Sequence, residues 1–150
     1  MTDLQRGRLL VAGQFIILGA MLFSRGPAAG AAVGLWSNIG DLMFVGGGVI
    51  VLVAFRALGP ALTANPVPLA AGKLVTSGVY NRVRHPIYSG LLLMTLGMAV
   101  KSGYWVRGVE WVLLLALLLY KVRFEEQLLV ARYSGYADYM KRVPALLPRP

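Results

Sequence analysis

Lys73-Leu-Val-Thr-Ser-Gly-Val-Tyr-Asn-Arg-Val-Arg-His-Pro-Ile-Tyr-Ser-Gly90 gathers the only histidine of the chain, two tyrosines and two arginines against the start of an apolar run that begins at Ile87. Proline is favoured at the first helical position, so His85-Pro86 marks where a loop ends and a helix starts. Polar groups at this density are costly beside hydrocarbon unless they hold a ligand or one another, so the cluster reads as functional. A counterpart follows the last apolar run, where Glu125 and Glu126 supply two of only six acidic residues.

The surroundings decide the class. Of 150 residues 57% are hydrophobic and 14% charged, with mean hydropathy +0.66, which leaves too little polar surface to cover a soluble domain and implies a membrane protein. Zero cysteines exclude disulfides, thiolate metal sites and thiol nucleophiles. A single histidine argues against a histidine-built metal site, so none is expected. The net charge of +9 is spread between apolar segments rather than concentrated in a basic domain, which fits membrane topology and not a nucleic-acid partner.

Four apolar stretches, Leu9 to Phe23, Leu42 to Phe55, Ile87 to Val100 and Val109 to Tyr120, predict about four transmembrane helices that recruit their flanks to cross roughly 30 Å of hydrocarbon. With four spans, twelve of the fifteen Lys and Arg residues fall on one side. Arg25, Lys101 and Arg107 fall on the other. The majority side is cytosolic, which places both termini and the Arg56 to Pro86 loop in the cytosol, with Trp36, Tyr104, Trp105 and Trp111 as an aromatic belt opposite. Pro60, Pro66, Pro68 and Gly72 forbid one continuous helix in that loop. A long irregular connection in a compact protein is usually functional. Gly26 to Gly34 reads as a loop rather than a leader cleavage site.

The short link Lys101 to Gly108 makes the third and fourth spans an antiparallel hairpin, which brings Arg84 and His85 near Glu125 and Glu126. Beyond them Leu129, Tyr133, Tyr136, Tyr139 or Met140, and Val143 recur at helical spacing and predict an interfacial helix ended by Pro144 and Pro148, folded back under the hairpin. The expected architecture is an all-α integral membrane protein of one domain, residues 1–150. Residues 1–71 form a two-span part with its loop, and residues 72–150 form the ligand-binding part.

Residue chemistry sharpens this. Arg84, His85 and Tyr88 fall within about one turn of a helix start, where backbone N–H groups and the dipole favour an anion. As a plain alternative they are a positive anchor with an interfacial aromatic. Glu125 and Glu126 oppose the dipole at a helix C-terminus, which suggests that they meet a cation, from the protein or from a ligand. The alternative is an exposed pair bridged to Lys121 and Arg123. Gly46-Gly-Gly48 has no preceding strand and reads as close helix packing. Gln14 reads as an interhelical hydrogen bond, and Asp41 and Glu110 as interfacial or helix-packing carboxylates. No Gly-x-Ser-x-Gly or His-Glu-x-x-His signature is present.

Four elements in order carry a resemblance: Leu74-Val-Thr-Ser-Gly-Val-Tyr80, Arg84-His-Pro-x-Tyr88-x-Gly90, Glu125-Glu126-x-x-Leu129, and Tyr136-x-x-Tyr139-x-x-Arg142-Val-Pro144 with a closing Leu-Pro. Over residues 72–148 the chain resembles the isoprenylcysteine carboxyl methyltransferases, within the integral-membrane methyltransferases that include phospholipid methyltransferases. The resemblance implies methyl transfer from S-adenosylmethionine, leaving S-adenosylhomocysteine, to a lipophilic acceptor reaching the site sideways from the bilayer. That acceptor would be an isoprenylcysteine-like carboxylate, an isoprenoid, a phospholipid or a lipid-modified partner. It also implies that Tyr80, His85, Pro86, Tyr88 and Glu126 bind the cofactor, and that Arg84 and Glu125 act on the acceptor. The pattern departs at Tyr133-Ser-Gly-Tyr136, one residue shorter than the family's aromatic-Gly-x-x-Tyr element. The competing expectations are an NADPH-dependent enzyme like the sterol reductases, which resemble the same region, and a non-catalytic membrane scaffold.

Overall fold

The computed structural model describes residues 1–24, 34–59, 67 and 74–148. Arg25, most of the Gly26 to Gly34 segment, Pro60, Pro66, Pro68, Gly72, Lys73 and Arg149 lie outside the described residues, as does the boundary expected at residues 71–72. Five α-helices are described: α1 (Asp3–Phe23), α2 (Leu35–Leu58), α3 (Pro86–Ser102), α4 (Trp105–Arg132) and α5 (Tyr136–Arg142), with a 3-10 turn at Gly78–Asn81 and no strand among the described residues.

Local chemistry sets the ends. Thr2 caps α1 through its hydroxyl while Gln5 reaches back to the Thr2 N–H at 2.9 Å, the reciprocal box that satisfies two orphan donors. Pro86 opens α3 as expected, and Gly103 ends it in the left-handed conformation at φ 61°, which a side chain would resist. Only Gly103 and Tyr104 separate α3 from α4, so the two run antiparallel.

Across the molecule the packing order is α2, α3, α4, α1. The closest approach is between α2 and α3. A Cβ added at Gly47 would lie 2.5 Å from the Gly90 carbonyl, and one at Gly40 would lie 2.7 Å from the Gly97 carbonyl. These glycines repeat at the same seven-residue interval on antiparallel partners, so the two backbones meet at two levels two turns apart. Of the Gly46-Gly-Gly48 triplet only Gly47 sits at the contact. An added Cβ at Gly46 or Gly48 has its nearest neighbour at 4.0 Å. In lipid, apolar association gains little, and such backbone approach is the main source of helix cohesion. On the other side, fully buried Leu114 and Leu118 of α4 pack with Met21 of α1 and Leu92 of α3.

α1 and α2 are long and apolar enough to cross a membrane, and their outward faces carry exposed Leu9, Ile16, Leu42, Val45 and Leu52. Exposed apolar surface of this extent is a lipid-facing surface. Two details differ from the sequence reading. Trp111 is not in the belt with exposed Trp36 and Trp105, because its indole N–H donates to the Leu92 carbonyl at 2.9 Å inside the α3–α4 seam. The interfacial helix is not continuous, since α4 runs on to Arg132 and the Tyr133-Ser-Gly135 turn separates it from α5. Ser and Gly are poor helix residues, and the break lets the chain double back.

Candidate functional site

Doubling back builds the site. Tyr136, Tyr139 and Val143 are buried together against Leu74, Leu129, Tyr133 and Met140, so the apolar stripe read from the sequence clasps α5 onto the loop before α3. The Tyr139 hydroxyl donates to the Tyr80 carbonyl. Burial pushes the Tyr80 and Tyr139 hydroxyls each up to about 12, which keeps Tyr139 a donor at neutral pH. The segment after α5 then pairs with the loop: the N–H groups of Arg84 and His85 donate to the carbonyls of Pro144 and Ala145, both at 2.9 Å, and the Ser89 hydroxyl donates to the Leu146 carbonyl at 2.6 Å. Two N–H groups near the start of α3 that the sequence offered to an anion are therefore used by the chain itself.

At this end of the hairpin the basic and acidic clusters meet. Arg84 Nε donates to Glu126 Oε1 at 2.7 Å, and Nη2 lies 2.7 Å from the same oxygen. Arg84 Nη1 donates to the carbonyls of Met140, at 3.1 Å, and Val143. His85 Nε2 lies 3.0 Å from Glu126 Oε1, and His85 Nδ1 lies 3.7 Å from Glu125 Oε2. Its ring stacks on Tyr88 with 5.4 Å between centroids, and the Tyr88 hydroxyl donates to Glu125 Oε2 at 2.9 Å. Arg84, His85, Tyr88, Glu125 and Glu126 thus form one network, with Pro86 buried beneath it and buried Tyr80 beside it.

The network heads a cavity of ≈ 440 Å³, within the range that holds a cofactor or drug-sized ligand. Tyr80, Arg84, His85, Pro86, Tyr88 and Glu125 line its polar end. Phe15 and Leu18 of α1 and Val51, Phe55 and Leu58 of α2 form apolar walls. Glu126 is not on the wall. It stands behind, holding Arg84 and His85.

Sequence reasoning missed one residue. Lys121, taken there as a positive-side surface charge, is 1% exposed and lines the cavity. It donates to Gln14 Oε1 at 2.8 Å, the interhelical bond expected of Gln14, and its ammonium lies 5.1 Å from the centre of the Tyr88 ring. The available signal was register: Leu114, Leu118, Lys121 and Glu125 succeed one another at steps of three and four, which is one helix face. Asp41 is bonded to Lys101 at 2.6 Å, and Glu110 receives the Ser24 hydroxyl. Both are helix-packing carboxylates away from the cavity.

Comparison with known proteins places this arrangement. The chain is 39% identical over 79 residues to the cobalt-zinc-cadmium resistance protein CzcN of Cupriavidus metallidurans, covering 51% of this chain and 36% of that protein. It is 37% identical over 81 residues to protein-S-isoprenylcysteine O-methyltransferase of Schizosaccharomyces pombe, covering 50% and 33%. It is 36% identical over 77 residues to the human protein of the same name, covering 50% and 27%. The aligned part thus spans about a third of the length of these curated relatives. The sequence pattern of the phospholipid methyltransferase family matches residues 35–135, from the first residue of α2 to the turn before α5, and the chain belongs to that family.

Proposed function

We propose that this chain transfers a methyl group from S-adenosylmethionine to a lipophilic acceptor, at the cytosolic end of a bundle in which α1 to α4 all cross the membrane. One observation carries the reading: a largely buried network of two carboxylates, an arginine, a histidine and a tyrosine closes the polar end of a cavity whose other walls are mostly apolar.

The cofactor supplies an electrophilic methyl on a sulfonium, together with an ammonium, a carboxylate and an adenine. The residues present fit that set. The Glu125 carboxylate suits the cationic groups, and Tyr80, His85 and Tyr88, with the backbone around Pro86, suit the adenosyl part. Glu126 has its Oε1 committed to Arg84 and His85, so we assign it to positioning them and give the cofactor's amino group to Glu125. Arg84, tied to Glu126 and to two carbonyls of the C-terminal segment, keeps the cavity end in shape and has one N–H left for the reacting groups. Methyl transfer needs in-line placement rather than a strong base, and orientation alone supplies about 7 to 11 kcal/mol. A rigid network is what such placement requires.

Titration calorimetry of the detergent-purified chain with S-adenosylhomocysteine and with NADPH tests the reading. Saturable binding of the adenosyl compound and none of NADPH is expected. Binding of NADPH alone would establish the reductase reading instead, and binding of neither would remove both. Incubating a membrane lipid extract with methyl-labelled S-adenosylmethionine then identifies the acceptor.

A further inference from the structure

We propose that Lys121, oriented by Gln14 and the Tyr88 ring, determines acceptor specificity by receiving an anionic headgroup, carboxylate or phosphate, of an amphiphile whose chain lies between α1 and α2. The proposal rests on the methyl-transfer reading and deepens it.

A lysine that is 1% exposed on an apolar helix face is costly to desolvate. Leu114 and Leu118 precede it on that face, and leucine there would pack without such a cost. The ammonium sits on the cavity wall between two orienting groups. Gln14 accepts one of its protons at 2.8 Å, and the Tyr88 ring takes the cation on its face. With its carbonyl so engaged, the Gln14 amide has its NH₂ as the donor end beside the same space. A cation and amide donors in one apolar recess suit an anion.

The cavity also carries two opposed poles. Glu125 lies one turn beyond Lys121 on α4, and Tyr88 touches both, its hydroxyl donating to Glu125 and its face meeting Lys121. The acidic pole suits the cofactor's cations, and the basic pole suits a negative acceptor. Phe15, Leu18, Val51 and Phe55 continue from the basic pole as apolar wall, the surface a hydrocarbon chain needs. An amine headgroup would instead set a cation against Lys121.

Four amphiphiles with one sixteen-carbon chain isolate the headgroup: palmitate, hexadecyl phosphate, hexadecanol and hexadecylamine. Their affinities are measured by calorimetry on the detergent-solubilised chain saturated with S-adenosylhomocysteine. An anion is expected to bind at least about tenfold more tightly than the alcohol or the amine, the gain of one charge-assisted contact. Whichever of palmitate and hexadecyl phosphate binds more tightly identifies the anion. Lys121→Met should erase the preference, Lys121→Arg should keep it, and both should bind S-adenosylhomocysteine as the parent does. If S-adenosylhomocysteine fails to bind the parent, the methyl-transfer reading falls. If it binds while the alcohol or amine matches the anions, or while Lys121→Met keeps the preference, the role of Lys121 falls. If Lys121→Met does not fold, Gln14→Leu, which removes the group that orients the ammonium, should weaken the preference in its place, and a preference left intact by Gln14→Leu would remove the role of Lys121.

Discussion

Glu126 and Glu125 are neighbours in sequence with opposite surroundings. One oxygen of Glu126 meets both Arg84 and His85, with the Arg84 and Glu126 side chains 9% and 11% exposed, whereas Glu125 faces the cavity and holds Tyr88. Breaking a buried pair by removing one partner costs about 3 to 5 kcal/mol, so Glu126→Gln should unfold at a markedly lower temperature in detergent. Arg84→Ala should do the same, because it also releases the Met140 and Val143 carbonyls. Glu125→Gln should melt close to the parent and lose affinity for S-adenosylhomocysteine, a split that calorimetry and thermal unfolding read on one preparation. The tyrosine clasp adds a pH dependence. Tyr80 and Tyr139 are raised to about 12 in the fold from about 10 in an unfolded chain. Their contribution is constant below pH 10 and is lost as the pH rises toward 12, because the unfolded state ionises first. An alkaline ultraviolet titration should show Tyr80 and Tyr139 ionising late together with Tyr136, whose hydroxyl burial also pushes up, and early ionisation of all seven tyrosines would remove the clasp. Arg84, His85, Tyr88 and Glu125 were legible as a group because their residue types are incompatible with lipid. Their division of labour was not, because adjacent positions differ only in helix phase.

For the helices, α2 and α3 depend on Gly40, Gly47, Gly90 and Gly97. At Gly47 an added methyl would collide with the Gly90 carbonyl and the Met94 N, so Gly47→Ala and Gly90→Ala should each lower the unfolding temperature, by about 1 to 3 kcal/mol of overpacking. Gly48→Ala, with its nearest neighbour at 4.0 Å, should be near neutral. Equal melting of the Gly47 and Gly48 variants would contradict the register. The sequence pointed to the triplet at 46–48 as a packing site, since three glycines in an apolar run have few other uses. It did not single out Gly47 or name its partner, because pairing between helices is settled by their relative shift, which no local pattern encodes. The four apolar cores were legible for the opposite reason, that hydropathy is local. The extension of α4 beyond the membrane-length run was hidden because Glu125 and Glu126 look like an end when their partners are unknown.

Taken as a whole, the molecule puts its polar network at one end of the bundle, and the excess of Lys and Arg predicts that this end faces the cytosol. The chain has no cysteine, so single introduced thiols report sidedness directly. Thr76→Cys and Ser134→Cys should react with a membrane-impermeant maleimide only from the cytosolic side of oriented vesicles, and Asn38→Cys only from the other. The converse pattern would invert the orientation. The bonds from the backbone of residues 84 and 85 and the Ser89 hydroxyl to the carbonyls of residues 144–146 span up to 60 positions of chain. A ribosome makes those carbonyls after every helix of the bundle has been synthesised. Helices α1 to α4 therefore leave the ribosome before the strip that holds Arg84 and His85 in place, and the polar end of the cavity gains that support only when the strip docks. Quality control of this protein would then have a natural checkpoint in the docking of that strip, later than and separate from membrane integration.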